Sequence, residues 1–137
     1  HVFIGSVVTD LALEPDRPVT ESCGSCRACL DACPSGALSE QGFVKERCRS
    51  FLTQKRGGLE PWQEEEIRRG GMVWGCDVCL DACPCKGKTL SPLEEMRKNP
   101  LPILTRENLA QALAVKAYAY RGEKVLLRNL KLIEQGK

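Results

Sequence analysis

The chain has 137 residues, the length of one domain or of one module of a longer protein. Its 20 Lys and Arg against 18 Asp and Glu give a formal net charge of +2 at pH 7. No apolar run approaches the roughly 18 residues that a membrane-spanning helix needs, so the sequence excludes a transmembrane helix in these residues. Aromatic residues make up only 5%, so we expect a modest core of Leu, Val and Ile that needs further stabilisation.

The chain opens on an apolar stretch directly after His1. This composition predicts a strand over residues 2–8, and a lone strand at a chain start would leave an unpaired edge. We therefore expect earlier strands to precede His1; an engineered start site is the alternative. Residues 14–18 contain two prolines and predict a turn or linker into the next segment.

The most informative pattern is a hexapeptide, Cys-Leu-Asp-Ala-Cys-Pro, that occupies residues 29–34 and again residues 79–84. With the cysteines before it, the first copy reads C-x2-C-x2-C-x3-C-P from Cys23, and the second reads C-x2-C-x3-C-P from Cys76. The first spacing is the bacterial ferredoxin run, in which three thiolates hold one [4Fe–4S] cluster and the fourth cysteine reaches the other cluster. We therefore predict a ferredoxin-like domain over residues 19–90 that binds two [4Fe–4S] clusters.

The spacing also assigns the eight thiolates that two such clusters require. An offset of 50 residues aligns Cys23 with Val73, so the second copy lacks one ligand, and Cys48 between the copies is the obvious replacement. If each cysteine before a proline crosses to the other cluster, the first cluster takes Cys23, Cys26, Cys29 and Cys83. The second cluster then takes Cys33, Cys48, Cys76 and Cys79. Cys85 is left over.

Two other uses of cysteine compete with this interpretation. Zinc sites also use C-x2-C pairs, but a zinc ion takes four ligands and does not call for a cysteine triplet followed by Cys-Pro. A disulfide framework suits a small secreted domain, but nine cysteines is an odd number and no signal peptide is visible. Because thiolate clusters need reducing surroundings, we expect a cytoplasmic protein.

The remaining sequence predicts helices at residues 43–55, 61–69, 91–99, 105–113 or beyond, and from about 123 to near 136. In the first helix, Cys48 lies on the apolar face. The last three helices form a C-terminal helical segment over residues 91–137. Trp74, ahead of the second motif, is expected either to shield a cluster or to pack in an ordinary core. The predicted fold class is α+β, mostly helical, with a short N-terminal strand and C-terminal helices.

Basic residues are concentrated in residues 45–56 and in residues 114–137. The first stretch has five basic residues and one acid, and the second has six basic residues and two acids. Such patches are compatible with a phosphate-rich partner. They are also typical of solvated helix faces, which is the interpretation that charge alone favours.

Three segments outside the hexapeptides carry a resemblance to a known family. They are Arg47-Cys-Arg-Ser-Phe-Leu-Thr53, Trp74-Gly-Cys-Asp-Val-Cys79 and the closing Arg121-Gly-Glu-Lys-Val-Leu-Leu-Arg-Asn-Leu130. Together with the cysteine run from Cys23 and the opening segment at residues 4–16, they resemble the iron–sulfur half of the epoxyqueuosine reductases. The resemblance covers nearly the whole chain.

This resemblance implies cofactors and a reaction. In that family, a base-off cobalamin lies between an N-terminal α/β domain and two clusters, electrons pass from the clusters to cobalt, and the epoxide of a modified tRNA wobble nucleoside is reduced to the alkene. Residues 1–18 would then be the end of a missing N-terminal α/β domain and its linker, with no catalytic residue in this segment. The implied partners are that cobalamin-binding domain, an electron donor and tRNA, and we expect a monomer.

The resemblance also points to two cobalamin-side residues. Ser50 lies in the R-C-x-S segment and Asp77 in the G-C-D turn; their alternatives are a helix-surface serine and a turn aspartate. The chain departs from the family at Lys55, where an acid is common, and at Cys85, where a Trp is common. Two alternatives follow: a ferredoxin-type carrier or relay subunit without corrinoid, and a reductive dehalogenase-like corrinoid protein.

Overall fold

A computed structural model describes residues 4–20, 22–85 and 103–136. These ranges contain six α-helices: α1 (Ala28–Ala32), α2 (Arg49–Gln54), α3 (Pro61–Gly70), α4 (Val78–Ala82), α5 (Leu109–Val115) and α6 (Glu123–Glu134). The same ranges contain two 3₁₀ turns, at Lys45–Arg47 and at Ala117–Arg121. They also contain one antiparallel pair of strands, β1 (Leu38–Ser39) and β2 (Gly42–Phe43). The expected mostly helical α+β character is confirmed.

The apolar core lies between α2, α3 and α6. Leu52, Ile67 and Leu132, one from each helix, are buried together. One side of α6 faces the interior and the other faces water, because Lys124 and Lys131 are exposed whereas five residues at helical spacing are buried: Val125, Leu126, Asn129, Leu130 and Leu132. The helix predicted over residues 123–136 is confirmed almost to its ends.

Local sequence signals explain both ends of α3. Pro61 occupies the first turn, where its missing N–H is not needed for a helical hydrogen bond. Glu60 and Gln63 cap the helix reciprocally, and Gln63 Oε1 accepts the Glu60 N–H at 3.1 Å. At the other end, Gly71 adopts the left-handed conformation (φ 62°) that glycine permits. The helix predicted over residues 61–69 is confirmed.

The helix predicted over residues 43–55 is shorter than expected and begins only at Arg49. Its first residue, Phe43, instead pairs with Leu38 across the β1–β2 hairpin. Cys48 is extended (φ −65°, ψ 120°) and forms the N-cap of α2, so it precedes the helix rather than lying inside it. The prediction was wrong there because strand pairing satisfied backbone groups that a helical period alone would have placed in a helix.

The strand predicted over residues 2–8 is wrong for its described part. Residues 4–20 contain no helix or strand, and Ile4, Val7 and Val8 are at least 90% exposed. A strand is stable only when a neighbouring strand pairs with its N–H and C=O groups, and the described ranges provide no such neighbour here.

The helix predicted from Thr105 also begins later. Asn108 Oδ1 accepts the Thr105 N–H at 2.8 Å, which closes a turn, and α5 starts after Asn108, at Leu109. The helix expected over residues 91–99 lies outside the described residues. Among the helices that the structure describes, none combines the length and apolarity needed to cross a membrane.

Candidate functional site

Helices α1 and α4 carry the two hexapeptides, and they share one conformation. The residue before each helix has similar dihedrals (φ −119°, ψ 6° at Arg27; φ −112°, ψ 13° at Asp77). After each helix, Cys33 and Cys83 are extended, with ψ of 110° and 124°. A proline disfavours helical dihedrals in the residue before it, which explains why both helices stop at these cysteines. The sequence repeat is therefore a structural repeat.

The two repeats lie side by side, because α1 packs against α4. Neither helix contains a fully buried residue, and all nine cysteines of the chain are free thiols in half-buried or exposed positions. Within residues 4–20, 22–85 and 103–136, no three His, Cys, Asp or Glu side chains converge closely enough to hold one metal ion. A cubane cluster makes no such demand, since each of its four thiolates binds a different iron.

The thiol of Cys79 lies near those of Cys33 and Cys76. Burial raises the pKa of Cys79, and the neighbouring Cys33 and Cys76 thiols raise it further against the opposing effect of backbone N–H groups. Cys33 belongs to the first copy, whereas the other two belong to the second. The structure thus brings a cysteine from one copy to the other, as the crossed ligand assignment requires; the assignment itself stays a prediction.

Cys85 lies beside the set of cysteines predicted for the first cluster. The Cys83 thiol does most to raise the pKa of Cys85, followed by desolvation and by the thiols of Cys23 and Cys26. All three neighbours are predicted ligands of the first cluster. The sequence left Cys85 without a role, and the structure puts a ninth thiol next to this set.

Backbone N–H groups surround the sulfur of Cys33. Burial raises the pKa of this thiol, but the N–H groups of Leu38, Ser35 and Ala37 together lower it more, so the net shift is downward. The Ser35 hydroxyl lies 3.9 Å from the sulfur. N–H donors to ligand sulfurs stabilise negative charge and tune cluster potentials, so the turn before β1 suits a cluster ligand.

Cys48 enters the site from outside the repeat. It is half-buried at the N-cap of α2, and together with Ser50 it lines a cavity of about 410 Å³. The Ser50 hydroxyl accepts a hydrogen bond from Gln54 Nε2 at 3.3 Å. Asp77 is exposed at the N-cap of α4. Of the two predicted cobalamin-side residues, Ser50 therefore borders a cavity and Asp77 lies in an exposed turn.

A buried hydrogen-bond network connects the last helix to the second cysteine motif. Asn129 on α6 is fully buried, and its Nδ2 donates to the carbonyls of Thr53 (2.7 Å) and Val73 (2.8 Å). The Thr53 hydroxyl in turn accepts the Gly75 N–H at 3.0 Å. Gly75 directly precedes Cys76, so this network fixes the turn that presents the Cys76 thiol.

Arg128 supports the same region by capping α2. Its guanidinium donates to the carbonyls of Leu52 (3.3 Å), Lys55 (2.8 Å) and Gly57 (2.9 Å). Carbonyls at a helix C-terminus lack intrahelical donors, and a cation there is favoured by the helix dipole. Sequence reasoning assigned no role to these positions; the signal was the Arg-Asn pair in the closing segment that carries the family resemblance.

Arg49, the residue after Cys48, forms a buried ion pair with Glu66 of α3 (3.1 Å). Glu66 also accepts from Arg69 at 3.0 Å. The Arg49 side chain lies across Gly70, where an added Cβ would stand 2.6 Å from Arg49 Cδ. Glycine at position 70 therefore leaves room for the ion pair that ties the Cys48 segment to α3.

Trp74 belongs to an aromatic group with Tyr118 and Tyr120. Its ring centroid is 5.4 Å from that of Tyr118 and 6.0 Å from that of Tyr120, the second pair edge-to-face. The Tyr120 hydroxyl donates to Gln54 Oε1 of α2 at 3.1 Å. These contacts favour the packing role of Trp74 over that of a cluster shield.

The cysteine motifs and their paired helices define a class of domain. Residues 22–86 match the family model for the 4Fe-4S double cluster binding domain, and this range contains all nine cysteines. Residues 22–86 are thus similar to an iron–sulfur domain, and α6 from the later part of the chain packs against α2 and α3 of this range.

Several curated relatives of the chain are epoxyqueuosine reductases. The chain is 36% identical to the epoxyqueuosine reductase of Bacillus subtilis (strain 168) and 34% identical to that of Bacillus anthracis, in each case over 94% of the chain. A shorter match, 40% identical over 60% of the chain, is with the enzyme of Aliivibrio fischeri. The chain spans only 36% of the length of the two Bacillus relatives.

Solved structures agree with these sequence relationships. The structure of epoxyqueuosine reductase from Streptococcus thermophilus matches with a TM-score of 0.66 and 31% identity, over 92% of this chain and 35% of that one. An epoxyqueuosine reductase crystallised with an epoxyqueuosine-modified tRNA-Tyr stem loop matches with a TM-score of 0.60 and 33% identity, over 88% and 34%. The resemblance predicted from the sequence is therefore confirmed: the chain is a homologue of about one third of an epoxyqueuosine reductase.

Proposed function

We propose that this chain is the iron–sulfur region of an epoxyqueuosine reductase-type oxidoreductase of tRNA modification. When bound, two [4Fe–4S] clusters would supply electrons and a cobalamin would supply the chemistry that reduces the epoxide of a modified tRNA wobble nucleoside to the alkene. The observation that carries the proposal is the packing of α1 on α4, which brings Cys33 of the first motif near Cys79 of the second. Homology over 94% of the chain supports the choice of substrate.

The two clusters share the two motifs. The first is held by Cys23, Cys26, Cys29 and Cys83. The second is held by Cys33, Cys48, Cys76 and Cys79. Because one thiolate crosses in each direction, the clusters are kept close together, which suits electron transfer from one to the other.

The residues of this chain bind the clusters, position their ligands and tune their potentials. When bound, the clusters supply one-electron transfer and the corrinoid supplies the reduction of the epoxide, which takes up two electrons and two protons and gives an alkene and water. The N–H groups around the Cys33 sulfur stabilise the negative charge that reduction adds. The hydrogen bonds from Asn129 to Thr53 and from Gly75 to Thr53 hold the turn before Cys76. Ser50, beside the 410 Å³ cavity, and Asp77 contact the corrinoid.

The chain divides by role. Residues 19–90 hold the clusters, residues 1–18 lead in from an N-terminal cobalamin-binding α/β domain, and residues 91–137 are the C-terminal segment, whose α6 braces the cysteine motifs. The partners are that domain, an electron donor and the tRNA substrate of a monomeric enzyme. Reducing surroundings, as in the cytoplasm, preserve the thiolate clusters.

The test uses the full-length protein, purified without oxygen. We expect about eight irons per chain, binding of cobalamin, and conversion of the epoxide in an epoxyqueuosine-modified tRNA stem loop when a reductant is supplied. A protein that holds two clusters but does not bind a corrinoid would contradict the proposed enzyme activity and favour a dicluster electron carrier. Such a carrier is compatible with Cys85 beside the predicted ligands of the first cluster. Zinc in place of iron would contradict both.

A further inference from the structure

The cavity beside Cys48 has a cationic wall that cluster binding does not require. Three of its eight lining residues are the cations Lys55, Arg56 and Arg121, and Ser50 lines it as well. Among the residues that the structure describes, no Asp or Glu lines this space. The cavity therefore carries positive charge that its own walls do not balance.

Within residues 4–20, 22–85 and 103–136, two of these cations contact only neutral partners. Lys55 Nζ donates to the side-chain carbonyl of Gln63 at 2.9 Å. Arg56 donates to the main-chain carbonyl of Tyr120 at 3.3 Å. Each contact uses one N–H group and leaves the charge and the remaining donors available.

Arg121 is the least satisfied of the three. Its guanidinium carbon lies 4.8 Å from the ring centroid of Tyr120, so the group stacks on an aromatic face. Its Nε is buried and has no hydrogen-bond partner within the described part of the chain. A donor withdrawn from water without an acceptor is unfavourable. An anion in the cavity would supply the acceptor and balance the charge.

We infer that this cavity binds a phosphodiester group. Guanidinium and ammonium groups that line one cavity without a carboxylate are suited to phosphate oxygens, and the Arg121 guanidinium is already stacked on Tyr120. The inference rests on the proposed function, which offers two sources of this one chemistry: the nucleotide tail of a cobalamin and the backbone of a tRNA. Because Cys48 lines the same cavity, the bound phosphodiester would lie next to a predicted ligand of the second cluster.

The test compares Arg121→Gln with a matched control in the full-length protein. Lys124→Gln removes the same charge from an exposed position three residues away that does not line the cavity. Arg121→Lys keeps the charge, and Arg56→Gln tests a second cation of the wall. Iron content and circular dichroism establish that each variant is folded. Dissociation constants are then measured for cobalamin, for cobinamide, which lacks the nucleotide tail, and for an epoxyqueuosine-modified stem loop.

Arg121→Gln should weaken one phosphodiester ligand about tenfold, as expected when a charge-assisted hydrogen bond is lost. Arg56→Gln should act in the same direction, Arg121→Lys should recover part of the affinity, and Lys124→Gln should have little effect. Weaker binding of cobalamin with unchanged cobinamide identifies the nucleotide tail. Weaker binding of the stem loop with unchanged corrinoids, and a salt dependence reduced by about one counterion, identifies the tRNA backbone.

Three results have the opposite meaning. Unchanged binding of all three probes by Arg121→Gln, or an equal loss in Lys124→Gln, overturns the phosphodiester site. A competing role for these cations is to offset the negative charge of the second cluster; Arg121→Gln would then lower its reduction potential and leave every dissociation constant unchanged, which also overturns the site. A wild-type protein that binds neither corrinoid nor stem loop instead contradicts the proposed function and removes both sources of the ligand.

Discussion

The two halves of the described structure are held together in different ways. Helices α1 and α4, which carry the cysteine motifs, contain no fully buried residue. Helices α2, α3 and α6 share a core of Leu52, Ile67 and Leu132, in which Leu52 and Ile67 are completely buried. Full burial of each such side chain contributes about 1.5–3 kcal/mol, so the helical body has an apolar core of its own. The cysteine half depends on what its thiols bind.

The two halves therefore have different roles: one carries the thiols, and the other positions the loops on which they lie. The cysteine half presents thiols on paired loops, and the helical body determines where those loops lie through the hydrogen bonds of Asn129 and Thr53. A change in the cysteine half should therefore alter cofactor content, whereas a change in the body should alter stability first.

The largest effect is expected from removal of iron, which should destabilise the cysteine half and leave the helical body folded. Chelation under reducing conditions should increase hydrogen exchange in α1 and α4 by about 100-fold or more, because nothing apolar replaces the lost ligand bonds. The amides of α6 should keep their protection. Hydrogen-exchange mass spectrometry of the iron-bound and iron-free protein measures both, and an equal loss in α6 would show that the two halves do not differ in this way.

Next in size is the loss of one cluster ligand. Cys48→Ser should disturb one cluster and lower the iron content below about eight atoms per chain, because it removes the only predicted ligand outside the two motifs. Cys85→Ser is the matched control and should retain both clusters, although its thiol lies beside the first set. Iron and sulfide analysis of anaerobically purified variants decides the matter, and the reverse result would overturn the ligand assignment.

A smaller effect, confined to the body, is expected for Asn129→Ala. This change leaves the carbonyls of Thr53 and Val73 without their donor in a fully buried position, and it should lower the free energy of unfolding by about 2–4 kcal/mol. Lys131→Ala, exposed on the same helix, should stay within about 0.5 kcal/mol. Denaturant titration of both variants makes the comparison, and equal stabilities would contradict a positioning role for this network.

The smallest effect concerns two glycines. Gly70→Ala would force its Cβ against the Arg49 side chain and should destabilise the protein by about 1–2 kcal/mol, despite the better helix propensity of alanine. Gly58→Ala meets no atom within 4 Å and should be neutral or stabilising by up to about 1 kcal/mol. Thermal unfolding of the two variants tests this pair; a stabilised Gly70→Ala would mean that Arg49 and Glu66 rearrange freely.

The helical body was predictable where its signals are local. The capping pair Glu60 and Gln63 and the apolar spacing along α6 lie within a few residues of the backbone they organise, so both helices were placed almost correctly. The start of α2 was not predictable in this way. Whether Phe43 joins a helix or a strand depends on its pairing with Leu38, and a periodic pattern contains no information on that competition.

The cysteine spacing by itself determined that the chain carries an iron–sulfur domain, because ligand count and ligand separation are properties of the linear sequence. Only the tertiary structure decided what surrounds those thiols. Cys85 lies near Cys23 and Cys26, and Arg121 shares a cavity wall with Cys48, through packing between segments that are distant in the chain. Such neighbours follow from how helices and loops pack against one another, which the linear sequence does not state.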